Sequence, residues 1–153
     1  MKQLLAILAL VAPAAAGAEV VGASATGFEV RHVVQVVIPQ PAAYDAFTQA
    51  PSWWNPEHSY SGDAANLSLS TAPGGCFCEK LPDGGGVEHL HVTYAVPGER
   101  LVLTGALGPL LYEAVAGVMD VKFERIAGGS RVTLNYRAAG FANGGADKLA
   151  PLV

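Results

Sequence analysis

Six strand-like segments follow one another between residues 66 and 138 with no helix between them, and this run restricts the fold more than any other feature. Turns that contain glycine or proline separate the segments, whose alternating and β-branched residues favour strands. Strands joined by such short turns pair antiparallel, because a parallel pair needs a crossover of a dozen or more residues. The predicted strands are 66–71, 76–81, 87–96, 100–107, 113–126 and 131–138.

One strand and one helix precede this run. Residues 28–38 alternate and are rich in valine, which predicts a strand, and Pro41 suits the first turn of a helix over 42–49. A second helix is predicted over 146–153. Segregated strands and helices indicate a single α+β domain. We expect a strongly curved antiparallel sheet whose concave face is closed by the terminal helix.

The first 18 residues have the pattern of a secretory signal peptide. Lys2 supplies the positive charge, residues 4–11 form a short apolar core, and Ala16-Gly17-Ala18 matches a cleavage site. We therefore expect a mature domain over 19–153, located in the periplasm or secreted. The apolar core is too short for a membrane span, and no other segment approaches that length.

The charge balance excludes one class of partner. The chain has 9 Lys plus Arg against 13 Asp plus Glu, and cleavage removes Lys2, so the mature net charge becomes 8 − 13 = −5 before histidine. Binding to nucleic acid draws on clustered Lys and Arg that neutralise phosphates, and the sequence has no basic stripe. We expect no nucleic-acid partner and no affinity for an anionic membrane surface.

Four stretches of the sequence together have a family pattern. They are Trp53-Trp54-Asn55-Pro56-Glu57-His58-Ser59-Tyr60-Ser61-Gly62, Gly74-Gly75-Cys76-Phe77-Cys78-Glu79, 97–104 and 128–134. These stretches resemble the SRPBCC, or START-like, superfamily, and within it the bacterial branch that includes activators of the large heat-shock chaperone ATPase. The resemblance extends over about 29–153 and implies a helix-grip fold with a cavity between the sheet and a C-terminal helix.

The end of the chain departs from this family pattern. Family members end in a long helix across the sheet, whereas 146–153 provides only one or two turns, so we expect a truncated terminal helix. The concave face would then be partly uncovered and would favour self-association, because monomers rarely expose large apolar patches. The residues expected there are Val115, Met119, Phe123, Val132 and Leu134.

The only two cysteines, Cys76 and Cys78, lie two residues apart on a predicted strand. At that spacing, Cα atoms of a regular strand are about 6.6 Å apart, near the upper limit for a disulfide. We therefore expect two free thiols, since a disulfide between them would need a local bulge.

A hairpin turn over 82–86 predicts which residues face each other across the two flanking strands. In that register Cys78 pairs with His89 and Cys76 with His91, which places all four side chains on one face. The opposite face is the more apolar and is expected to be the core face. It carries Phe77, Leu81, Leu90, Val92, Tyr94 and Val96.

Thiolates and imidazoles are preferred zinc ligands, so a metal site at these four residues is one interpretation. Their Cβ atoms would form a flat rectangle of about 5 by 7 Å instead of a tetrahedron. The register also places Glu79 opposite Glu88, an unfavourable pair, and a shift by one residue would separate cysteines from histidines. We therefore favour buried thiols and ordinary polar histidines, with no bound metal or other cofactor.

A second group of candidates lies just after the first helix. Trp53 and Trp54 are costly to expose side by side, so they either plug the core or form the aromatic rim of a cavity. In the second interpretation His58 and Tyr60 would be polar groups that orient a ligand. His32, in the first strand, is interpreted as structural.

We expect an exported helix-grip domain that binds a small apolar or amphipathic ligand in an internal cavity. The candidate ligand-binding residues are Trp53, Trp54, His58, Tyr60, Cys76, Cys78 and His89. One alternative is a cyclase- or hydrolase-type enzyme with His58 or His89 as general base, and Glu79 is a candidate partner for His58. A metal-binding or chaperone-interacting protein is the other alternative.

Overall fold

The computed structural model describes residues 18–153, which form one eight-stranded antiparallel sheet in the order β1-β2-β8-β7-β6-β5-β4-β3. The six consecutive antiparallel strands predicted from the sequence are all present, and residues 1–17 of the predicted leader lie outside the described part. The elements are β1 Glu19–Ser24, β2 Gly27–Val36, α1 Gln40–Thr48, β3 Leu67–Leu69, β4 Cys76–Lys80, β5 Gly86–Val96, β6 Arg100–Thr104, β7 Ala114–Ile126 and β8 Gly129–Phe141.

The long β7–β8 hairpin forms the centre of the sheet. Its two strands pair over 13 residues each without a register shift. Side chains of successive strand residues point to opposite faces, so Met119, Val121 and Phe123 of β7 share the inner face with Leu134 and Tyr136 of β8. The clean alternation of the sequence in these strands therefore predicted the core face correctly.

Helix α1 covers one end of the concave inner face. Its Tyr44 ring packs edge-on against Phe123 at 5.2 Å between centroids, and Phe47 packs against the same ring at 5.7 Å. Phe123 is buried for this reason. The expectation of a partly uncovered apolar face was wrong for Met119 and Phe123, which are buried, whereas Val115, Val132 and Leu134 are half-buried.

The C-terminal residues form two 3₁₀ turns, Ala146–Lys148 and Ala150–Leu152, instead of the single helix that we expected over 146–153. Pro151 has no N–H to donate to an α-helical hydrogen bond, and Leu152 N–H donates instead to Leu149 O, three residues back, at 2.9 Å. Ala146 and Ala150 are both buried. These turns therefore pack against the domain without forming a helix across the sheet.

No helix between residues 18 and 153 is both long and apolar enough to cross a lipid bilayer.

Candidate functional site

The tryptophan loop follows α1 and consists of two 3₁₀ turns, Ala50–Ser52 and Pro56–His58. Proline near the start of each turn favours this conformation because it fixes the backbone angle φ. Both indole N–H groups donate to backbone carbonyls, Trp53 to Phe47 at 2.9 Å and Trp54 to His58 at 3.1 Å. These bonds hold the two rings in fixed positions beside the inner face of the sheet.

A cavity of about 470 Å³ lies between this loop, α1 and the inner face of the sheet. Pockets that bind small molecules commonly have about 300–1,000 Å³ and mostly apolar walls. The cavity is lined by Val30, His32, Val34, Phe47, Ala50, Trp53, Trp54, Asn55, His58, Leu69, Phe77, Leu103, Leu107, Met119, Val132, Leu134, Tyr136 and Val153. Its size and apolar walls suit a small hydrophobic molecule.

Polar groups are few in this cavity and differ in exposure. Asn55 and His58 are exposed, as is Trp53, so they mark the side of the cavity that meets solvent. His32 is half-buried. The Tyr136 hydroxyl is already paired, because it donates to Gly105 O at 3.0 Å and accepts from the Leu107 N–H at 3.2 Å. The polar groups are thus concentrated at the mouth, while most of the wall is apolar.

A buried acid–histidine pair lies beside Phe77, whose ring packs against the ring of the histidine. Glu79 Oε2 and His89 Nε2 are 3.0 Å apart, and the two side chains are 0% and 3% exposed. The Glu79 carboxylate also accepts hydrogen bonds from the backbone N–H groups of Tyr60, at 3.1 Å, and Ser61. An ionised carboxylate only accepts hydrogen bonds, so His89 Nε2 carries the proton of this contact. The pair therefore connects β4 and β5 to the end of the tryptophan loop.

Two opposing effects set the charge state of this carboxyl group. Burial is the largest single effect and acts to raise the pKa of Glu79. The hydrogen bonds from Ser61, Tyr60 and His89 together outweigh it, so the pKa of Glu79 lies below its ordinary value of 4.5. The carboxylate is consequently ionised at neutral pH, with three donors directed at it.

Tyr60 does not line the cavity. Its ring lies 5.8 Å from the His89 ring between centroids, and its hydroxyl donates to Gly108 O at 2.8 Å. Burial, followed by the neighbouring Tyr112 and Glu79, raises the pKa of Tyr60 above its ordinary value. Tyr60 therefore connects the chain after the tryptophan loop to the turn that follows β6.

Cys76 and Cys78 form a disulfide, which corrects the expectation of two free thiols. The pairing of β4 with β5 shifts by one residue between Phe77 and Cys78, which is a bulge whose extra residue, His89, lies in β5. The Cα atoms of Cys76 and Cys78 are 5.3 Å apart, well inside the usual range for disulfides. Both cysteines are half-buried and lie outside the cavity lining.

Because of this bulge, the predicted hairpin register is wrong from Cys78 onward. Cys76 pairs with His91 as expected, but Cys78 pairs with Glu88 instead of His89. His89 is thereby turned to the buried side, where it meets Glu79, while His91 stays exposed. The four residues considered for a zinc site therefore do not share one face. The unfavourable Glu79–Glu88 pair is also absent, because Glu79 pairs with Val87.

The structure thus brings together three of the seven sequence-predicted site residues, Trp53, Trp54 and His58, around one cavity. His32, which was interpreted as structural, alternates with Val30 and Val34 on the inner side of β2 and lines the cavity. Glu79 was predicted as a candidate partner for His58, but the histidine that it contacts is His89. The alternation in β2 was a usable signal for His32, whereas nothing in the sequence indicated the bulge that joins Glu79 to His89.

No protein-family model and no curated protein sequence matches the chain. Several solved structures are similar in fold. An uncharacterised protein from Rhizobium leguminosarum is 20% identical with a TM-score of 0.55, and the alignment covers 89% of this chain and 90% of that one. A protein from Nitrosomonas europaea is 14% identical with a TM-score of 0.52, covering 84% of each chain. A protein from Rhodobacter sphaeroides is 16% identical with a TM-score of 0.50, covering 90% and 84%.

Identities this low show similarity of fold alone. An open, curved antiparallel sheet of eight strands with few helices is consistent with a helix-grip fold.

Proposed function

We propose that this protein binds one small apolar or amphipathic molecule in the cavity between the tryptophan loop and the sheet. The observation that carries this proposal is a volume of about 470 Å³ whose wall is almost entirely apolar, with exposed Asn55 and His58 at its mouth. Cavities with such walls hold water poorly and accept apolar molecules instead. The inner wall is formed by core strands, so the site needs no large rearrangement to exist.

The chemistry of the wall specifies the class of ligand. Each CH₂ group removed from water is worth about 0.8 kcal/mol, so a chain or ring system of about eight carbons would gain about 6 kcal/mol before the cost of immobilisation. A polar group at one end of the ligand would meet Asn55 and His58 at the mouth. An amphipathic molecule with one apolar and one polar end matches both regions.

A pair of tryptophan substitutions tests this proposal with anilinonaphthalene sulfonate, a fluorescent probe with apolar rings and one anionic group. Leu134→Trp fills part of the cavity, because Leu134 lines it, whereas Val118→Trp adds the same group on β7 at a position 40% exposed and outside the lining. We expect Leu134→Trp to weaken probe binding at least about tenfold, or 1.4 kcal/mol, and Val118→Trp to leave it unchanged. Equal binding by both variants would refute the cavity as the site.

We further propose membership of the SRPBCC superfamily, on the motifs in the tryptophan loop and the β3–β4 turn together with the fold. The enzyme alternative has less support from the geometry. His89, at 3% exposed, is sealed against Glu79, and the side chain of His58 forms no hydrogen bond within the described residues. A general base needs access to substrate and usually has a partner carboxylate that tunes its pKa. Neither His58 nor His89 combines an accessible ring with a partner carboxylate.

We also propose that the protein is exported. The leader pattern over 1–18 supports this, and a disulfide at Cys76–Cys78 fits an oxidising compartment. N-terminal sequencing of protein from the native host should begin at or near Glu19. Intact chain starting at Met1 in the cytosol would exclude export.

A further inference from the structure

The outer face of the β4–β5 hairpin carries a cluster that the ligand cavity does not use. The two sulfur atoms of Cys76 and Cys78 and a carboxylate oxygen of Glu88 lie within 4.8 Å of one another. The bulge creates this cluster, because it places Glu88 directly opposite Cys78. Both cysteines are half-buried and Glu88 is exposed, so the cluster is accessible to solvent.

The disulfide in this cluster does little for the stability of the fold. It closes a loop with one intervening residue, Phe77, inside a single strand, and β4 is already paired with β3 on one side and β5 on the other. The loop-entropy relation gives less than about 2 kcal/mol for so short a loop, whereas a 15-residue loop gives about 3. Stabilisation of the fold by the disulfide therefore does not explain why cysteines occupy positions 76 and 78.

We propose that Cys76, Cys78 and Glu88 form a redox-gated site for a thiophilic divalent cation, Zn²⁺, that is closed by the disulfide and opened by reduction. A dithiol reductant transfers two electrons and two protons to the disulfide. The S–S bond breaks, two thiols form on the protein, and the reductant leaves as a disulfide. Zn²⁺ then displaces both thiol protons and is bound by two thiolates and the Glu88 carboxylate.

The donor set and its spacing suit zinc. Tetrahedral Zn²⁺ binds sulfur at about 2.3 Å and carboxylate oxygen at about 2.0–2.2 Å, which puts neighbouring donor atoms less than about 4 Å apart. The three donors already lie within 4.8 Å of one another, so small side-chain rotations complete the site. Three protein ligands leave the fourth position to water. The site lies on the opposite face of β4 from Phe77 and the cavity, so it is independent of the proposed ligand-binding function.

His91 is a positioning residue for this site. Its Nδ1 lies 3.2 Å from Glu88 Oε1, and its Nε2 lies 2.8 Å from Thr104 Oγ1. The ring is therefore held from both sides and fixes the Glu88 carboxylate beside the sulfur atoms. Groups that hold a metal ligand in this way typically change metal affinity by about 10–100-fold when they are removed.

Cobalt titration of the folded full-length protein tests the proposal. Protein reduced with a phosphine and desalted without oxygen should bind about one Co²⁺ per chain, with thiolate-to-cobalt absorption that added Zn²⁺ abolishes. Oxidised protein should show no such absorption. Cys78→Ser should lose it, Glu88→Gln should bind at least about tenfold more weakly, and His91→Ala should keep the absorption with an affinity reduced about tenfold. Glu99→Gln, a substitution at another exposed glutamate, is the matched control and should bind as the parent does.

Three results would overturn the proposal. The first is reduced parent protein that binds no more Co²⁺ than Cys78→Ser does. The second is Glu88→Gln that binds as tightly as Glu99→Gln, which would remove the carboxylate from the site. The third is loss of far-ultraviolet circular dichroism on reduction, which would show that the disulfide is a structural cross-link.

Discussion

Two hairpins of this sheet, β7–β8 and β4–β5, differ in the regularity of their pairing, and the groups with unusual chemistry lie on the irregular one. The β7–β8 hairpin pairs without a register shift and contributes a regular apolar inner face. The β4–β5 hairpin shifts between Phe77 and Cys78, and the pairing of β5 with β6 shifts again between Val92 and Tyr94. The groups with unusual chemistry, the buried Glu79–His89 pair and the Cys76–Cys78 disulfide, both lie on the irregular hairpin.

One extra residue in a strand is enough to create such groups. Beyond the extra residue, each side chain of that strand points to the opposite face from the one it would occupy in a regular strand. In β5, His89 and Leu90 are adjacent in sequence and both buried. A regular strand would have sent one of them outward. The bulge thus supplies the inner face with a histidine for Glu79, and on the outer face it places Glu88 opposite Cys78.

The largest expected effect comes from removing the buried carboxylate. Glu79→Ala leaves the Tyr60 and Ser61 N–H groups and the His89 ring without an acceptor. We expect the free energy of unfolding to fall by about 3–5 kcal/mol, as for other buried pairs that lose one partner. Urea unfolding followed by tryptophan fluorescence measures this loss and also reports on the attached loop.

Asp120 on the regular hairpin is the matched control. It accepts two hydrogen bonds from Arg100, both at 2.8 Å, but the arginine side chain is 43% exposed. Asp120→Ala should cost only about 1 kcal/mol, because solvent screens exposed ion pairs. Equal losses for Glu79→Ala and Asp120→Ala would contradict the contrast between the two hairpins.

A smaller effect should follow from protonating the same carboxylate. Because the pKa of Glu79 is lower in the folded protein than its ordinary value of 4.5, its stabilising contribution is complete above that pH. The contribution is lost as the pH falls through the lowered pKa. We expect stability to decline on acidification more steeply in the parent than in Glu79→Gln, which cannot titrate there. Parallel curves of unfolding free energy against pH would show that Glu79 does not have the lowered pKa.

The smallest effect should come from reducing the disulfide. Its loop encloses only Phe77, so we expect less than about 2 kcal/mol of lost stability and an unchanged fold. Thermal unfolding with and without reductant gives the difference, and Cys76→Ser/Cys78→Ser provides a version without thiols. A loss comparable to that of Glu79→Ala would mean that the bulge depends on the S–S bond.

The sequence was informative where alternation continues unbroken. It predicted Val132 and Leu134 of β8 on the inner face and the helix that became α1. It failed where a bulge interrupts alternation. Tyr94 continues the apolar pattern of Leu90 and Val92, yet it is 48% exposed because of the second shift in β5.

Such bulges depend on contacts between distant parts of the chain, which local periodicity does not contain. The Glu79 carboxylate is held by Tyr60 and Ser61, about twenty residues away, and by His89, which the bulge turns toward it. The ligand cavity depends on similar long-range packing, since Trp53 stacks on Phe47 of α1, which in turn packs against Phe123 of β7.

The most direct test of the ligand-binding proposal is nuclear magnetic resonance on methyl-labelled protein with a bound apolar probe such as a short-chain fatty acid. We expect intermolecular nuclear Overhauser effects from the probe to methyl groups of Leu103, Met119 and Leu134, which line the cavity. We expect none to Val118, which is exposed on the neighbouring position of β7 outside the lining. Contacts to Val118 with none to Leu134 would place the probe outside the cavity and contradict the proposed function.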